Sequence, residues 1–355
     1  MQSPPIRWLL DAASNRPFDP AIRFGSSAWT FQRLAEEVLR TAAALNGRGL
    51  QPGARVGIVM GSGPVFVTSV LGTLAAGLVA VPLSPLLTPH ELASHIRRNR
   101  MAAIIADLAN SHGCTAAMAL AESGGPVLTM GAGRFGADIS ASIEAATPAD
   151  PVPVTSEQTA LILNTAGSTG RSKLVPRTNG QVQAECDSIV RSLCMTAGDV
   201  IFGILPLHHC YGLFNVLFAA LRAQCVVSLF FDSRPTVLAR EDILASMSRE
   251  RVTMVPAIPF QIETLLRAKQ QYDLESIRLC YTGGAALKAS TYAEFRKRFG
   301  IQVRQHYGCT EAGAVTLNLE EDPDSSAMTV GRPLADVSVS VIDADASGEG
   351  ELFVQ

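Results

Sequence analysis

The sequence has no CxxC pair, no excess of basic charge, no internal repeat, no low-complexity tract and only four lysines. Its seven cysteines (114, 186, 194, 210, 225, 280 and 309) are scattered and odd in number. That spacing excludes a compact zinc module or a disulfide-dense scaffold and suits a reducing, cytoplasmic setting. A formal net charge of −3 excludes the strongly basic domain that a nucleic-acid partner would favour. No basic start followed by a long apolar core opens the chain, so no secretory leader is read. The apolar stretch at residues 64–83 is punctuated by Gly72, Gly77 and Pro82. It reads as a buried helix followed by a short strand, not as a membrane span. With lysine confined to positions 173, 269, 288 and 297, the one that falls inside a glycine-rich loop stands out.

A chain of 355 residues, 47% hydrophobic, exceeds the size at which a single core stops growing, so more than one subdomain is expected. Helical apolar spacing over residues 31–46, 65–76 and 89–100 alternates with short β-branched runs at 55–60, 78–82 and 102–106. Further strands are predicted at 161–163, 200–205, 225–230, 252–255, 277–281 and 302–306. Such alternation predicts an α/β fold with parallel sheets flanked by helices. Residues 337–354 change character, with short alternating strands around a turn at 344–350 that predict an antiparallel piece. Residues 144–157, rich in Ala, Pro, Asp and Thr, are expected to be a surface connection.

The short apolar run Leu161-Ile162-Leu163 feeds Asn164-Thr165-Ala166-Gly167-Ser168-Thr169-Gly170-Arg171-Ser172-Lys173. Glycines let backbone N–H groups turn toward a ligand and the hydroxyls add donors, which together make a cradle for polyphosphate. The pattern GxxxxGK[ST] does not fit, because Ser172 precedes the lysine. Taken alone, such a loop is more often a plain polar turn.

The loop resembles the phosphate-binding signature TSGTTGxPKGV of the adenylate-forming superfamily of acyl-CoA synthetases, luciferases and adenylation domains. Further segments occur in that family's order. Pro206-Leu207-His208-His209-Cys210-Tyr211-Gly212 resembles PLFHxxG, and Thr282-Gly283-Gly284-Ala285-Ala286-Leu287 is similar to the GGAPL segment. His306-Tyr307-Gly308-Cys309-Thr310-Glu311-Ala312-Gly313 resembles YGxTE, and Gly331-Arg332-Pro333 and Gly350-Glu351-Leu352 match the later GxP and GEL marks. The resemblance implies two parallel-type sheets flanked by helices and a small antiparallel β-barrel-like subdomain at the C-terminal end. It divides the chain into residues 50–180, residues 1–49 with 181–310, and residues 311–355.

The activity the resemblance implies is ATP-dependent conversion of a carboxylic acid to an acyl-adenylate, followed by a thioester on coenzyme A or a carrier-protein pantetheine. Because an anionic nucleophile must approach an anionic phosphate, catalysis rests on alignment and charge neutralisation, and Mg²⁺ is the expected cation. Residue by residue, Glu311 would hold Mg²⁺ and Thr310 would contact the α-phosphate. Thr165, Ser168, Thr169, Gly170 and Lys173 would wrap the β- and γ-phosphates. Tyr307 would stack on adenine against Gly283, Gly284 and Ala285. His209 would stand at the mouth of the acid pocket, with Cys210, Tyr211, Phe214 and Gly308 as pocket residues. A metal site at His208-His209 is set aside because neighbours on an extended chain point opposite ways and no ligand cluster completes a set.

Ser172-Lys173-Leu174-Val175-Pro176-Arg177-Thr178 is close to the SKLIPRT run of aryl-acid adenylating enzymes. Cys210, however, stands where those enzymes have Asn, and the segments around His209 and Tyr307 look more like 4-coumarate and medium-chain acyl-CoA ligases. No acidic residue at positions 210, 211 or 214 meets an ammonium group, which favours an uncharged aryl or aliphatic acid. Two departures are noted, Asn164 for the usual aromatic or hydroxyl residue and Ser172 for the common proline. In the resembled family the chain continues past the GEL mark to a ribose-binding aspartate, a hinge and a small C-terminal domain with the adenylation lysine. None of these falls within the 355 residues, which are read as an excised large domain or a natural fragment. The alternative is therefore a nucleotide- and acid-binding fragment with little or no turnover. A remote alternative, an NAD-dependent oxidoreductase, rests on the GxGxxG match at Gly131-Ala132-Gly133-Arg134-Phe135-Gly136, which needs a strand at 127–130 before it and a helix after it, within 137–148.

Overall fold

The computed structural model describes residues 1–107, 127–130, 137–165, 173–230, 232, 234–320, 327–345 and 347–355. It is a mixed α/β structure in two compact units: residues 1–184 with 206–213, and residues 185–205 with 214–355.

Unit 1 opens with α1 (Pro4–Asn15) and the antiparallel hairpin β1 (Pro20–Phe24)–β2 (Ser27–Thr30). α2 (Phe31–Asn46) starts where the Thr30 hydroxyl accepts the Arg33 N–H, and it buries Phe31, Leu34, Val38, Ala42 and Leu45 at helical spacing. Then come β3 (Arg55–Val59), α3 (Pro64–Ala75), β4 (Val79–Leu83), α4 (Pro89–Asn99) and β5 (Ala103–Asp107). α4 begins on a reciprocal Thr88–Glu91 capping box. α3 is buried nearly all round, and the apolar stretch breaks at Gly77 into helix and strand, as the glycine and proline punctuation predicted. Among the described residues no helix is long and apolar enough to cross a membrane.

The sheet of unit 1 continues with β6 (Val127–Met130), β7 (Ala137–Asp138), β8 (Thr159–Thr165) and β9 (Lys173–Thr178), in the order β7-β6-β5-β3-β4-β8-β9. Every pairing from β7 to β8 is parallel, and β8–β9 is antiparallel. Strands buried on both faces read as continuous apolar runs, which is why β3 to β5 were legible. Strand β6 lies where the dinucleotide alternative needs one, and residues 131–136 lie outside the described residues. Strand β7 comes next along the chain, and the helix beyond it (α5, Ser140–Ala145) has only six residues. The first described element after the glycines is thus a strand, where a dinucleotide fingerprint leads into a helix. The predicted connection at 144–157 carries no helix or strand after its first two residues, which close α5.

Helix α6 (Asn179–Ser192) enters unit 2 at Glu185. The strands there are β10 (Val200–Gly203), β11 (Val226–Leu229), β12 (Met254–Ala257), β13 (Leu279–Thr282), β14 (Val303–Cys309), β15 (Gly313–Leu317) and β16 (Arg332–Pro333), in the order β16-β15-β14-β13-β12-β10-β11. Pairings from β11 to β14 are parallel; β14–β15 and β15–β16 are antiparallel. Helices α7 (Thr236–Arg249), α8 (Pro259–Leu265) and α9 (Ala289–Phe299) supply Ile243, Leu244, Met247, Ile262, Leu265 and Phe295 to the core around Phe202, Val255 and Cys280. At the amino ends of β10 and β13, buried Asp199 accepts from Arg278 Nε at 2.7 Å and Nη2 at 2.9 Å, from the Thr253 hydroxyl at 2.7 Å and from the Thr196 N–H at 2.8 Å. The arginine bonds hold its carboxyl below the usual range against the opposing cost of burial. The last pair, β17 (Val339–Ile342) and β18 (Glu351–Val354), is the predicted antiparallel hairpin.

Candidate functional site

In a parallel α/β sheet ligands are received at the carboxyl ends of the strands. In unit 2 those ends carry two of the predicted segments side by side. β13 runs out at Thr282 into Gly283, whose N–H donates to Ala257 O at 3.2 Å, and then into the exposed Gly284 and Ala285. β14, parallel to β13 with Thr282 opposite Gln305, ends three residues after His306. Tyr307, two residues beyond Gln305 on β14, is 37% exposed. The exposed Gly284 and Ala285 and the exposed Tyr307 thus lie at or beyond the carboxyl ends of neighbouring parallel strands.

Beyond Tyr307 the chain makes a tight turn. Cys309 pairs with Gly313 and residues 310–312 close the hairpin, with the Ala312 N–H donating to Cys309 Sγ at 3.4 Å. Thr310 is partly exposed and Glu311 is exposed. A Cβ at Gly308 would stand 2.5 Å from Gly313 O, so the two arms approach too closely there for any side chain. Gly313 has φ +82°, in the left-handed region that favours glycine, and a Cβ on it would meet the Glu185 carboxyl group at 2.6 Å. Glu185 is 8% exposed, and its Oε1 accepts the Ala314 N–H at 3.1 Å.

Below the turn, His306 is buried on β14 and burial lowers its pKa to about 4, so the ring is neutral. It stands edge-on to Tyr281, ring centres 6.1 Å apart, and the Tyr281 hydroxyl donates to Asn215 Oδ1 at 3.2 Å. Asn215 belongs to a π-helical stretch, Leu213–Phe218, between the short helices Cys210–Gly212 and Ala219–Ala223. π-Turns inside helices recur at functional sites because they re-aim side chains. Phe214, in the same stretch, is fully buried and packs edge-on to Phe218 at 5.4 Å.

In unit 1, Thr165 and Lys173 form the closing pair of the β8–β9 hairpin, with Lys173 exposed. Ser168, Thr169 and Gly170 lie outside the described residues. Behind the hairpin, Asn164 Oδ1 lies 3.1 Å from His95 Nδ1 and accepts from Asn99 Nδ2 at 3.3 Å. Desolvation lowers the His95 pKa, against the opposing pull of the Asn164 bond.

The 206–212 segment is also in unit 1, anchored where the Leu207 N–H donates to Ser62 Oγ at 2.9 Å. The expectation that His208 and His209 point opposite ways is corrected here. The chain turns instead of extending, with the His209 N–H donating to Pro206 O, and the two rings lie 4.3 Å apart. Burial, and then the neighbouring ring, lower the His208 pKa to about 3; His209, though exposed, is lowered by desolvation as well. Cys210 and Tyr211 are half-buried. Among the described residues no group of three or more His, Cys, Asp or Glu is placed to hold a metal. The Thr310 hydroxyl and Glu311 carboxylate are neighbouring hard oxygen donors on an accessible turn. They fit Mg²⁺, which is bound through one or two protein oxygens and substrate phosphates and not by a protein cage.

Sequence reasoning singled out every residue of the turn but missed Glu185. Its signal was an acidic residue at helical spacing on the apolar stripe formed by Val182, Cys186 and Ile189, all fully buried.

Two mixed α/β units, each with a hairpin closing a run of parallel strands, define the architecture of the adenylate-forming enzymes. The chain belongs to the AMP-binding enzyme family, which matches residues 9–355. It is similar to the feruloyl-CoA synthase of an Amycolatopsis species, with 28% identity over 319 residues that cover 88% of this chain and 60% of that protein. It is likewise similar to the malonate–CoA ligase of Arabidopsis thaliana, with 28% identity covering 87% of this chain and 54% of that one. The chain thus spans little more than half the length of these relatives. Among solved structures, ATP-bound MatB from Rhodopseudomonas palustris matches over 100% of this chain and 70% of its own, with a TM-score of 0.87 and 27% identity.

Proposed function

We propose that this chain binds ATP and uses it to convert a carboxylic acid with an uncharged aryl or aliphatic tail into its acyl-adenylate. The observation that carries the reading is the placement of Gly283–Ala285, Tyr307 and the Thr310–Glu311 turn at adjoining carboxyl ends of β13 and β14. The ATP-bound structural relative and the CoA-ligase relatives support it.

In this mechanism Tyr307 stacks on adenine and Gly283, Gly284 and Ala285 face the base. The Thr310 hydroxyl donates to an α-phosphate oxygen. Thr165, Ser168, Thr169, Gly170 and Lys173 hold the β- and γ-phosphates. A carboxylate oxygen of the acid attacks the α-phosphorus, the bond from that phosphorus to the bridging oxygen breaks, and pyrophosphate leaves with the electron pair. Mg²⁺, held by Glu311, supplies neutralisation of phosphate charge when bound. His209, neutral because desolvation lowers its pKa, orients the carboxylate at the pocket mouth without charging itself. Cys210, Tyr211, Phe214 and Gly308 are the residues assigned to the acid, and none of positions 210, 211 and 214 is acidic to meet an ammonium group. The onward step, in a cytoplasmic setting, is thioester formation on coenzyme A or a carrier-protein pantetheine.

The test is acid-dependent exchange of labelled pyrophosphate into ATP across uncharged aryl and aliphatic acids, with MgATP binding measured alongside. Exchange stimulated by one acid class supports the reading. MgATP binding without exchange for any acid reduces it to a nucleotide-binding unit. Absence of both overturns it.

A further inference from the structure

We propose that Glu185 is a positioning residue for the adenylation step, holding the turn that carries Thr310 and Glu311, and that position 313 is glycine in order to admit its carboxylate. The inference rests on the activity proposed above. A buried carboxylate is costly unless its charge is met by donors. At 8% exposure Glu185 meets that need in part at Oε1, which takes the backbone N–H of Ala314 at 3.1 Å, the first residue after Gly313.

The fit is two-sided. Gly313 adopts φ +82°, and a Cβ there would stand 2.6 Å from both the carboxyl carbon and Oε2 of Glu185. Any side chain at 313 would therefore be strained by its backbone and would evict the carboxylate. The anchoring is not confined to one bond. Glu185, Ser188 and Ser192 recur at i, i+3 and i+7, on one face of α6. The Ser188 hydroxyl donates to Ala335 O at 2.6 Å, and the Ala335 N–H donates to Ser192 Oγ at 2.8 Å. One helical face thus grips both the start of β15 and the segment after β16. Of these three contacts, only the Glu185 contact falls beside the turn.

A residue that fixes a reacting group through the backbone acts on the transition state more than on ground-state binding. The expected signature is a split between kcat and KM. In acid-dependent pyrophosphate exchange, Glu185→Ala should lower kcat by about thirtyfold while KM for MgATP moves by less than about threefold. Glu185→Gln keeps an acceptor for the Ala314 N–H and should stay within about threefold of the parent in both constants. Gly313→Ala should reproduce the Glu185→Ala profile from the other side of the contact. If Glu185→Ala fails to fold, Glu185→Asp takes its place. It keeps the charge but withdraws the acceptor by about one methylene, and the same split is expected.

Equal damage in Glu185→Ala and Glu185→Gln, or parent-like kcat in Glu185→Ala, overturns the positioning role while leaving the proposed activity standing. Failure of the parent chain to bind MgATP and to exchange overturns both.

Discussion

In unit 1, β8 runs parallel to β4 and antiparallel to β9; in unit 2, β14 runs parallel to β13 and antiparallel to β15. Each sheet thus ends its parallel run in a hairpin at the carboxyl end of a strand, where ligands are received. The two hairpins differ in what closes them and what stands behind them. β8 and β9 are closed by Thr165 and Lys173 with residues 166–172 between, and neutral polar groups, His95, Asn99 and Asn164, back the strand. β14 and β15 are closed by Cys309 and Gly313 with only residues 310–312 between, and a buried carboxylate holds the return strand. A long glycine-rich connection can wrap several oxygens of a ligand, whereas a tight turn fixes two side chains to a narrow geometry. On the proposed activity, the first construction would serve binding and the second catalysis.

Substitution in each hairpin tests that division. Glu311→Gln should cost the most, about a hundredfold in kcat for acid-dependent exchange, equivalent to roughly 2.7 kcal/mol, with KM for MgATP little changed. Lys173→Ala should raise KM for MgATP about tenfold, roughly 1.4 kcal/mol of binding, and leave kcat at saturation near the parent value. If the two variants gave the same profile, the functional contrast between the hairpins would be gone.

The legible part of the fold was the part with one-dimensional signals. α2 was bounded by its hydroxyl cap and apolar period, and the parallel strands by apolar runs buried on both faces. β9 and β15 were not foreseen as strands. β9 begins at the lysine of a loop signature, and its burial alternates imperfectly; β15 begins at a glycine that reads as a turn. The π-stretch at Leu213–Phe218 has the same composition as an ordinary buried helix, so sequence could not mark it. The Gly283–Ala285 and Tyr307–Glu311 segments stood out in the sequence through their likeness to family motifs. Glu185 was not, because its meaning depends on Gly313, a residue far along the chain that only the fold brings to it. The His208–His209 geometry failed because an extended chain was assumed where the backbone turns.

Both hairpins are also backed by a histidine held neutral by burial, and pH sharpens the comparison. Burial lowers the His306 pKa to about 4 on β14, and that of His95 is lowered in unit 1. Such groups bind a proton more readily in the unfolded chain. Their stabilising share is complete above about pH 6.5 and is lost as pH falls toward the folded-state value, by at most about 1.4 kcal/mol per pH unit for each histidine. His208, lowered to about 3, adds to the same slope. Asp199 does not enter this window, because a carboxyl held below its usual range loses its share only at about pH 4 and lower. Denaturant midpoints measured from about pH 7 down to about pH 4.5 should fall steadily. His306→Asn should flatten the slope more than His95→Asn, since the latter ring is only half-buried. Equal slopes in the two variants would mean that the two backings are not distinguished by burial.

The smallest effect is expected at Asn164, and it bears on whether the longer hairpin needs its backing at all. Asn164→Ala removes the acceptor facing His95 Nδ1 and Asn99 Nδ2. It also removes the Asn164 Nδ2 group, which is buried without a hydrogen-bond partner among the described residues. Losing two bonds costs stability, while losing an unsatisfied buried donor restores some, so the net change should be only about 1 kcal/mol. KM for MgATP should then stay within about twofold of the parent. A rise matching that of Lys173→Ala would instead mean that the polar cluster sets the geometry of the loop as firmly as Glu185 is proposed to set the turn. In that event Asn164, which departs from the family's usual residue at its position, would be the unit 1 counterpart of Glu185, and the contrast between the two hairpins would have to be given up.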